Sequence, residues 1–248
     1  MKPQTILFDL DDTLIHCNKY FGIVLEQFAD LVSSWFSSYS ISQDEIRRKQ
    51  YELDVANIGI HGFGADHFPQ SLVETYRHFA TMTGRKRSER EEEQLFQLGR
   101  SVYDMPVEPY PGMVETLDRL VADGHTLYLY TGGVVEVQHK KVKTAGLDRY
   151  FGERVFVRKH KTADALEGIV REQGFDRRNT WMIGNSIRTD IVPALKSGLH
   201  TIFIPALTEW DYDIVNIDET PRGAFLKLES LEQVPDAIRG YLEAATVS

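Results

Sequence analysis

From residue 113 onward, short apolar strand patterns alternate with helical patterns, and this alternation constrains the fold more than any other feature of the chain. Parallel strands need a crossover between them, usually a helix, and such helices cover both faces of the sheet. Strands are predicted at residues 126–130, 155–157, 180–183 and 201–204, with an edge strand at 225–228, and helices at 113–122, 134–145, 163–173, 191–196 and 231–244. The pattern predicts an α/β fold with a doubly wound, Rossmann-like parallel sheet.

The first strand of this sheet is predicted near the N-terminus, where residues 5–8 form a β-branched and aromatic run. Residues 16–107 then interrupt the alternation, because apolar side chains recur there every three or four positions and no strand pattern occurs. A Pro-rich segment at 106–112 marks the return to the sheet. We therefore expect an α/β core domain made of residues 1–15 and 108–248, interrupted by an all-helical cap domain at 16–107.

Two helices of the insert have recognisable starts. Ser42 with Glu45, and Ser88 with Glu91, each have the spacing of a capping box. The first of these helices is expected to end before Gly59, where the chain becomes rich in glycine.

Composition excludes several classes of function. The 28 Lys and Arg residues against 37 Asp and Glu give a net charge of −9, which opposes binding to nucleic acids and to anionic membrane surfaces. The N-terminus lacks an apolar signal segment and no run of about 18 apolar residues occurs, so we expect a cytoplasmic protein outside the membrane. The single cysteine, Cys17, excludes an internal disulfide or cysteine metal cluster, and is expected to be a half-buried packing residue instead of a nucleophile.

Polar residues follow several of the predicted strands. Open α/β sheets bind ligands beyond the carboxyl ends of their strands, so these residues are expected to lie together. They are Asp9 and Asp11 after the first strand, Thr131 and Gly132, Lys161, and then Asn185 and Asp190. Carboxylates, a hydroxyl and a lysine suit a phosphoryl group accompanied by a divalent cation, with Mg²⁺ the expected ion.

The set and its order resemble the motifs of the haloacid dehalogenase superfamily of phosphatases. The first motif, an apolar strand followed by Asp-x-Asp-x-Thr, is matched by residues 8–14, FDLDDTL. The second, a strand ending in Thr or Ser before Gly, is matched by residues 127–132, LYLYTG. Lys161 before a predicted helix matches the third, and residues 184–190, GNSIRTD, match the fourth with one departure.

The resemblance implies a role for each matching residue. Asp9 would attack phosphorus and form an aspartyl-phosphate, and Asp11 would be the general acid and then the base. Because side chains at i and i+2 of an extended strand point the same way, both carboxyls can face one phosphate. Phosphate oxygens would be bound by Thr131, the Gly132 N–H and Lys161. Mg²⁺ would be held by a set drawn from Asp9, Asp11, Asn185 and Asp190.

Two positions leave alternatives open. Asn185 stands where the superfamily usually has Asp. Its amide still offers an oxygen ligand but removes one negative charge, so Asn185, Asp190 and water all stay open as the direct ligand. Lys159 competes with Lys161 for the phosphate role, and Lys161 is preferred because it lies closer to the start of the helix.

The resemblance also favours one type of reaction over the others that the superfamily catalyses. Asp11 argues for a phosphatase, because the dehalogenase branch lacks this second Asp, and the helical insert after the first motif favours a small phosphorylated metabolite. The alternatives are a catalytically weak or inactive phosphate-binding or regulatory module, prompted by Asn185, and a phosphomutase. A monomer or homodimer is expected. The residues considered for reading the leaving group are His16, Asn18, Lys19, Tyr20, His61, Phe63, His67 and Phe68.

Two clusters of charged residues are expected to be solvated surface. They are Arg85-Lys86-Arg87 beside Glu91-Glu92-Glu93, and Lys140-Lys141 with Lys143.

Overall fold

The computed structural model describes residues 2–247, with side chains through residue 245. The chain divides into two compact units. The first combines Met1–Asn18 with Val107–Ser248, and the second is Lys19–Pro106.

A six-stranded parallel sheet forms the first unit, which confirms the predicted fold class. The strand order is β3-β2-β1-β4-β5-β6, so β1 lies in the middle, paired with β2 on one side and β4 on the other. In this register Phe8 lies beside both Leu129 and Ile183. The strands are β1 (Thr5–Phe8), β2 (Thr126–Gly132), β3 (Val155–Arg158), β4 (Thr180–Gly184), β5 (His200–Phe203) and β6 (Phe225–Lys227).

The second unit, Lys19–Pro106, is helical throughout. Its core is a cluster of apolar side chains from several helices that includes Phe28, Tyr76 and Leu95. The long helices that supply it are α1 (Asn18–Trp35), α2 (Gln43–His61), α3 (His67–Thr83) and α4 (Glu89–Arg100). The first residue of α1, Asn18, still belongs to the N-terminal segment of the first unit.

Two sequence predictions within this unit are wrong in part. Helix α2 does begin at the predicted capping box, but it continues through Gly59, which is tolerated inside a helix at a cost of about 1 kcal/mol relative to Ala. The second capping box forms only half. Ser88 accepts a hydrogen bond from the Glu91 N–H, whereas the Glu91 carboxylate binds Arg85 at 2.6 and 2.7 Å. This part of the predicted solvated charge run is therefore an ion pair whose side chains are half-buried.

Helices cover both faces of the sheet, as the sequence predicts. The remaining helices are α5 (Met113–Ala122), α6 (Val135–Thr144), α7 (Asp148–Phe151), α8 (Ala163–Glu172), α9 (Val192–Lys196) and α10 (Val234–Val247). Successive side chains of β1 point to opposite faces of the sheet. Phe8 packs in the apolar cluster with side chains from α5 and α10, whereas Leu7 packs in the cluster with side chains from α8 and α9. Burying each such side chain stabilises the fold by about 1.5–3 kcal/mol.

The sequence did not predict the short helix α7, nor the wide, π-type helical turn at Ile187–Ile191 that precedes α9. Between residues 2 and 247, no helix combines the length and the apolar character that crossing a membrane requires.

Candidate active site

The carboxyl ends of β1, β2 and β4 bring the predicted residues to one edge of the sheet. Asp9 follows β1 directly, and its N–H donates to the Ile183 carbonyl of β4 at 2.9 Å, so the strand pairing continues to the base of its side chain. Thr131 ends β2, and Asn185 follows β4. The parallel register thus fixes where these side chains start.

The Asp9 carboxylate has a separate donor on each oxygen. Lys161 Nζ lies 2.6 Å from Oδ1, and the Thr13 hydroxyl donates to Oδ2 at 3.0 Å. The Asp9 side chain is 8% exposed, and this burial raises its pKa to about 7 although the nearby Lys161 acts to lower it. Asp190 and Asp11 add to the upward shift of the Asp9 pKa. A positively charged group beside Asp9 therefore stabilises the ionised form of its carboxyl.

Lys161 lies between two buried carboxylates. Its ammonium pairs with Asp9 and with Asp190, and it lies 4.9 Å from the centroid of the Tyr130 ring. Burial by itself would lower the pKa of Lys161, but Asp190 and Asp9 outweigh it and raise the pKa above its ordinary value. Lys159, the competing candidate, is exposed. The structure therefore places Lys161 against Asp9 as a permanently charged group.

Asp190 is fully buried, and both of its oxygens are engaged. One pairs with Lys161, and the other accepts the Ser186 N–H at 3.0 Å. Gly184 leaves room for this side chain, because a Cβ there would lie 2.5 Å from Asp190 Cγ. Asp190 thus orients Lys161 and the turn after β4.

Asn185 is buried beside the same cluster. Its side-chain oxygen is 3.1 Å from the Thr13 hydroxyl, which is also 3.0 Å from Asp9. A hydroxyl has one hydrogen to donate, so it satisfies one of these oxygens at a time. The other oxygen keeps a lone pair for a ligand or water.

Asp11 is bound by two side chains that the sequence did not identify. Lys141 Nζ lies 2.7 Å from Asp11 Oδ1, and Gln138 Nε2 donates to Oδ2 at 2.9 Å. The sequence predicts solvated surface for Lys141, and this is wrong, because its side chain is only 21% exposed and pairs with Asp11. The signal lay in the three-residue spacing of Gln138 and Lys141, which places both on one face of α6.

Thr131 is buried beside them, and its hydroxyl oxygen accepts a hydrogen bond from Gln138 at 2.6 Å. Gly132, the last residue of β2, follows it at the same edge.

Asp12, the third acid of the first motif, has a backbone role. Its carboxylate accepts the N–H groups of Cys17 and Asn18 at 3.1 and 2.8 Å, at the start of α1. Burial raises the pKa of Asp12 to about 7, and these two hydrogen bonds oppose the shift. Burial also raises the pKa of the Cys17 thiol, which agrees with a packing residue and disfavours a thiolate nucleophile.

Asp213 is a further acid near the cluster that sequence patterns missed. It lies in the long connection between β5 and β6 and interacts electrostatically with Asp9 and Lys161. Burial raises the pKa of Asp213 to about 6. That connection carries no hydrophobic periodicity, so nothing in its sequence indicated proximity to the site.

The residues considered for recognising the leaving group lie in both units, and their contacts differ. Phe68 is a buried core residue of the helical unit, in edge contact with Phe21. His61 and His67 stack with ring centroids 5.2 Å apart. In the first unit, Asn18 donates its side-chain N–H to the Thr208 carbonyl at 3.0 Å.

The sequence matches the haloacid dehalogenase-like hydrolase family over residues 3–198, a range that contains all four motifs and ends just after α9. The chain belongs to this family. The resemblance predicted from the motifs is confirmed, and this haloacid dehalogenase-like hydrolase is therefore an enzyme.

Named relatives of this haloacid dehalogenase-like hydrolase act on different substrates. It is 25% identical to the pyrimidine 5'-nucleotidase PynA of Streptococcus pneumoniae, over 80% of this chain and 82% of the relative. It is 24% identical to the pyrophosphatase PpaX of Halalkalibacterium halodurans, over 82% of this chain and 84% of the relative. A haloacid dehalogenase-like family hydrolase from Xanthomonas campestris has a similar structure, with a TM-score of 0.79, 25% identity and coverage of 99% of this chain and 95% of that one.

Proposed function

We propose that this hydrolase is a Mg²⁺-dependent phosphatase that hydrolyses a small phosphate monoester through an aspartyl-phosphate on Asp9. The observation that carries the proposal is the position of the Asp9 carboxylate, which is held at the end of the central strand by Lys161 and Thr13. A nucleophile in this reaction needs a fixed direction of approach, because the attacking and leaving oxygens must lie roughly in line with phosphorus.

The chemistry divides into two displacements. An Asp9 oxygen forms a bond to phosphorus while the bond from phosphorus to the ester oxygen breaks, and the leaving alcohol takes a proton from Asp11. Water then attacks phosphorus, transfers a proton to the Asp11 carboxylate, and releases inorganic phosphate and free Asp9. Asp11 lies two residues after Asp9, so one phosphate can contact both carboxyls.

The residues present fit a magnesium ion. Asp9, Asp11 and Asn185 offer oxygen donors, the ligand type that Mg²⁺ prefers. Within residues 2–247 no three His, Cys, Asp or Glu side chains are gathered for a metal ion, and Mg²⁺ commonly keeps several waters and binds a substrate phosphate oxygen. Because the Asp190 side chain is 0% exposed and is bound to Lys161 and the Ser186 N–H, we favour Asn185 over Asp190 as the direct ligand. The ion would reduce the repulsion between the Asp9 carboxylate and the phosphate.

The phosphoryl oxygens would be bound by three groups at the edge of the sheet. Lys161 carries a charge close to Asp9, and the Thr131 hydroxyl and the Gly132 N–H lie at the end of the adjacent strand. Preorganised donors of this kind stabilise the charge that is redistributed during transfer.

The helical residues 16–107 would act as a cap that favours small phosphate esters and excludes water during the reaction. The nucleotidase and the pyrophosphatase among the relatives differ in their named substrates, so a panel has to identify the substrate of this chain.

The test is release of inorganic phosphate from an aryl phosphate and from nucleotide, sugar and acid phosphates, with Mg²⁺ or with EDTA. We expect Mg²⁺-dependent release by the wild-type protein and none by Asp9→Asn, which keeps the shape of the side chain but removes its charge. Asp11→Asn is expected to accumulate the phosphorylated enzyme, which mass spectrometry detects. A folded wild-type protein that binds Mg²⁺ yet releases no phosphate contradicts the proposal and favours a binding or regulatory role.

A further inference from the structure

Gln138 and Lys141 both contact the side chain of Asp11. They lie one turn apart in α6, and each contacts a different carboxylate oxygen, at 2.9 Å for Gln138 and 2.7 Å for Lys141. A carboxylate with one donor can rotate about it, whereas two donors from one rigid helix fix the plane of the group. The contacts therefore hold the Asp11 side chain in one orientation.

Gln138 also links Asp11 to Thr131. An amide nitrogen has two hydrogens, and Gln138 Nε2 lies within hydrogen-bonding distance of both Asp11, at 2.9 Å, and the Thr131 hydroxyl oxygen, at 2.6 Å. The Thr131 oxygen accepts from Gln138, and its own hydroxyl donates to the Gly132 carbonyl at 3.5 Å, a long contact that a better-placed acceptor would replace. One side chain thus orients both an acid and a hydroxyl.

The backbone is shaped to admit this side chain. Gly133 has φ +140°, and a Cβ at that position would lie 3.1 Å from Gln138 Cγ and Cδ. Gln138 is 2% exposed, and the side chains of Asp11 and Lys141 are 25% and 21% exposed. An exposed ion pair contributes little and needs no such enclosure, so the arrangement differs from ordinary surface charge.

We propose that Gln138 and Lys141 are positioning residues that aim the Asp11 carboxyl at the leaving-group oxygen. The proposal rests on the function proposed above. Proton transfer to the leaving group matters most when that group is a poor one, such as an alkoxide, and least for a stabilised nitrophenolate. A misdirected Asp11 therefore slows alkyl phosphates selectively.

The experiment compares glycerol phosphate with 4-nitrophenyl phosphate for Gln138→Met and Lys141→Met. Both replacements keep an unbranched side chain and remove the donor. The matched control is Lys140→Met, which makes the same charge change at an exposed neighbour on the same helix. Thermal unfolding of each variant checks that the fold is retained.

We expect kcat for glycerol phosphate to fall about tenfold or more beyond any fall for 4-nitrophenyl phosphate, with KM changed much less, since general acid catalysis contributes about 10²–10⁴-fold. Lys140→Met should match the wild-type protein on both substrates. An equal fall on both substrates, or no fall on either, overturns the positioning role while leaving the phosphatase intact. Absence of phosphate release by the wild-type protein overturns the proposed function and the positioning role together.

Discussion

Lys161 Nζ lies 2.6 Å from Asp9 Oδ1, and both side chains are more than nine-tenths buried. The same ammonium pairs with Asp190, so one cation compensates two buried carboxylates that follow different strands. This pairing couples the stability of the fold to the charge at the proposed nucleophile.

The first prediction concerns the removal of that cation. Lys161→Met should lower the free energy of unfolding by about 3–5 kcal/mol, because it leaves Asp9 and Asp190 buried without an opposite charge. Urea unfolding followed by circular dichroism measures the change. Lys159→Met is the control, since Lys159 is exposed, and its effect should stay within about 0.5 kcal/mol. Equal stability of the two variants would mean that the pairing contributes nothing to the fold.

A second prediction follows from the amide at position 185. Asn185→Asp adds a carboxylate oxygen and a negative charge where we propose a direct Mg²⁺ ligand. The concentration of Mg²⁺ needed for half-maximal binding, measured by calorimetry, should fall on the order of tenfold, since ligand charge tunes the affinity for divalent cations. Asn216→Asp makes the same charge change at an exposed residue and should leave the affinity unchanged. Unaltered or weaker binding by Asn185→Asp would exclude Asn185 as a ligand.

A third prediction concerns the close approach of Gly184 to Asp190. Gly184→Ala places a Cβ 2.5 Å from Asp190 Cγ, so Asp190 or the strand must move. We expect a loss of about 1–3 kcal/mol in the free energy of unfolding, together with loss of phosphate release, because Asp190 orients Lys161. Gly168→Ala in α8, where the added Cβ meets no atom within 4 Å, should instead stabilise the protein by about 0.5–1 kcal/mol. Chemical denaturation of the two variants gives the comparison, and a stable, active Gly184→Ala would contradict it.

The site residues best predicted from the sequence are those whose positions the parallel strands determine. Asp9 and Thr131 directly follow or end strands that lie side by side, so recognising those strands was enough to bring them together. Asn185 is placed by the same logic. The fold class followed because buried parallel strands need long apolar runs, and the alternation with helices left few other arrangements.

Residues that reach the site from elsewhere were harder to predict. Lys141 belongs to a run of lysines on α6, and composition does not tell which of them turns inward. Asp213 follows β5 through a long connection without periodicity, so its place depends on tertiary packing. Glu91 shows the same limit in the helical unit, where a half-buried Arg85 competes successfully for the carboxylate that local spacing assigns to a cap. Each of these side chains is positioned by a contact that lies far away in the sequence or outside the local motif.

The last prediction concerns Asp54, a half-buried acid in helix α2 whose pKa burial raises from 3.8 to about 7. Because the unfolded chain releases this proton at lower pH than the folded protein, the folded state binds more protons between about pH 4 and 7, and stability falls as pH rises through that range. Asp54→Asn stays neutral at every pH and escapes this loss.

The free energy of unfolding of Asp54→Asn should therefore equal that of the wild-type protein near pH 4 and exceed it at pH 8. The gain at pH 8 should be on the order of 1–2 kcal/mol, since part of the side chain still contacts water. Urea unfolding at a series of pH values measures the difference. Asp44→Asn, at an exposed acid in the first turn of the same helix, should show no gain, because it removes a favourable interaction with the helix dipole. A difference for Asp54→Asn that does not grow with pH would show that the acid is not penalised by burial.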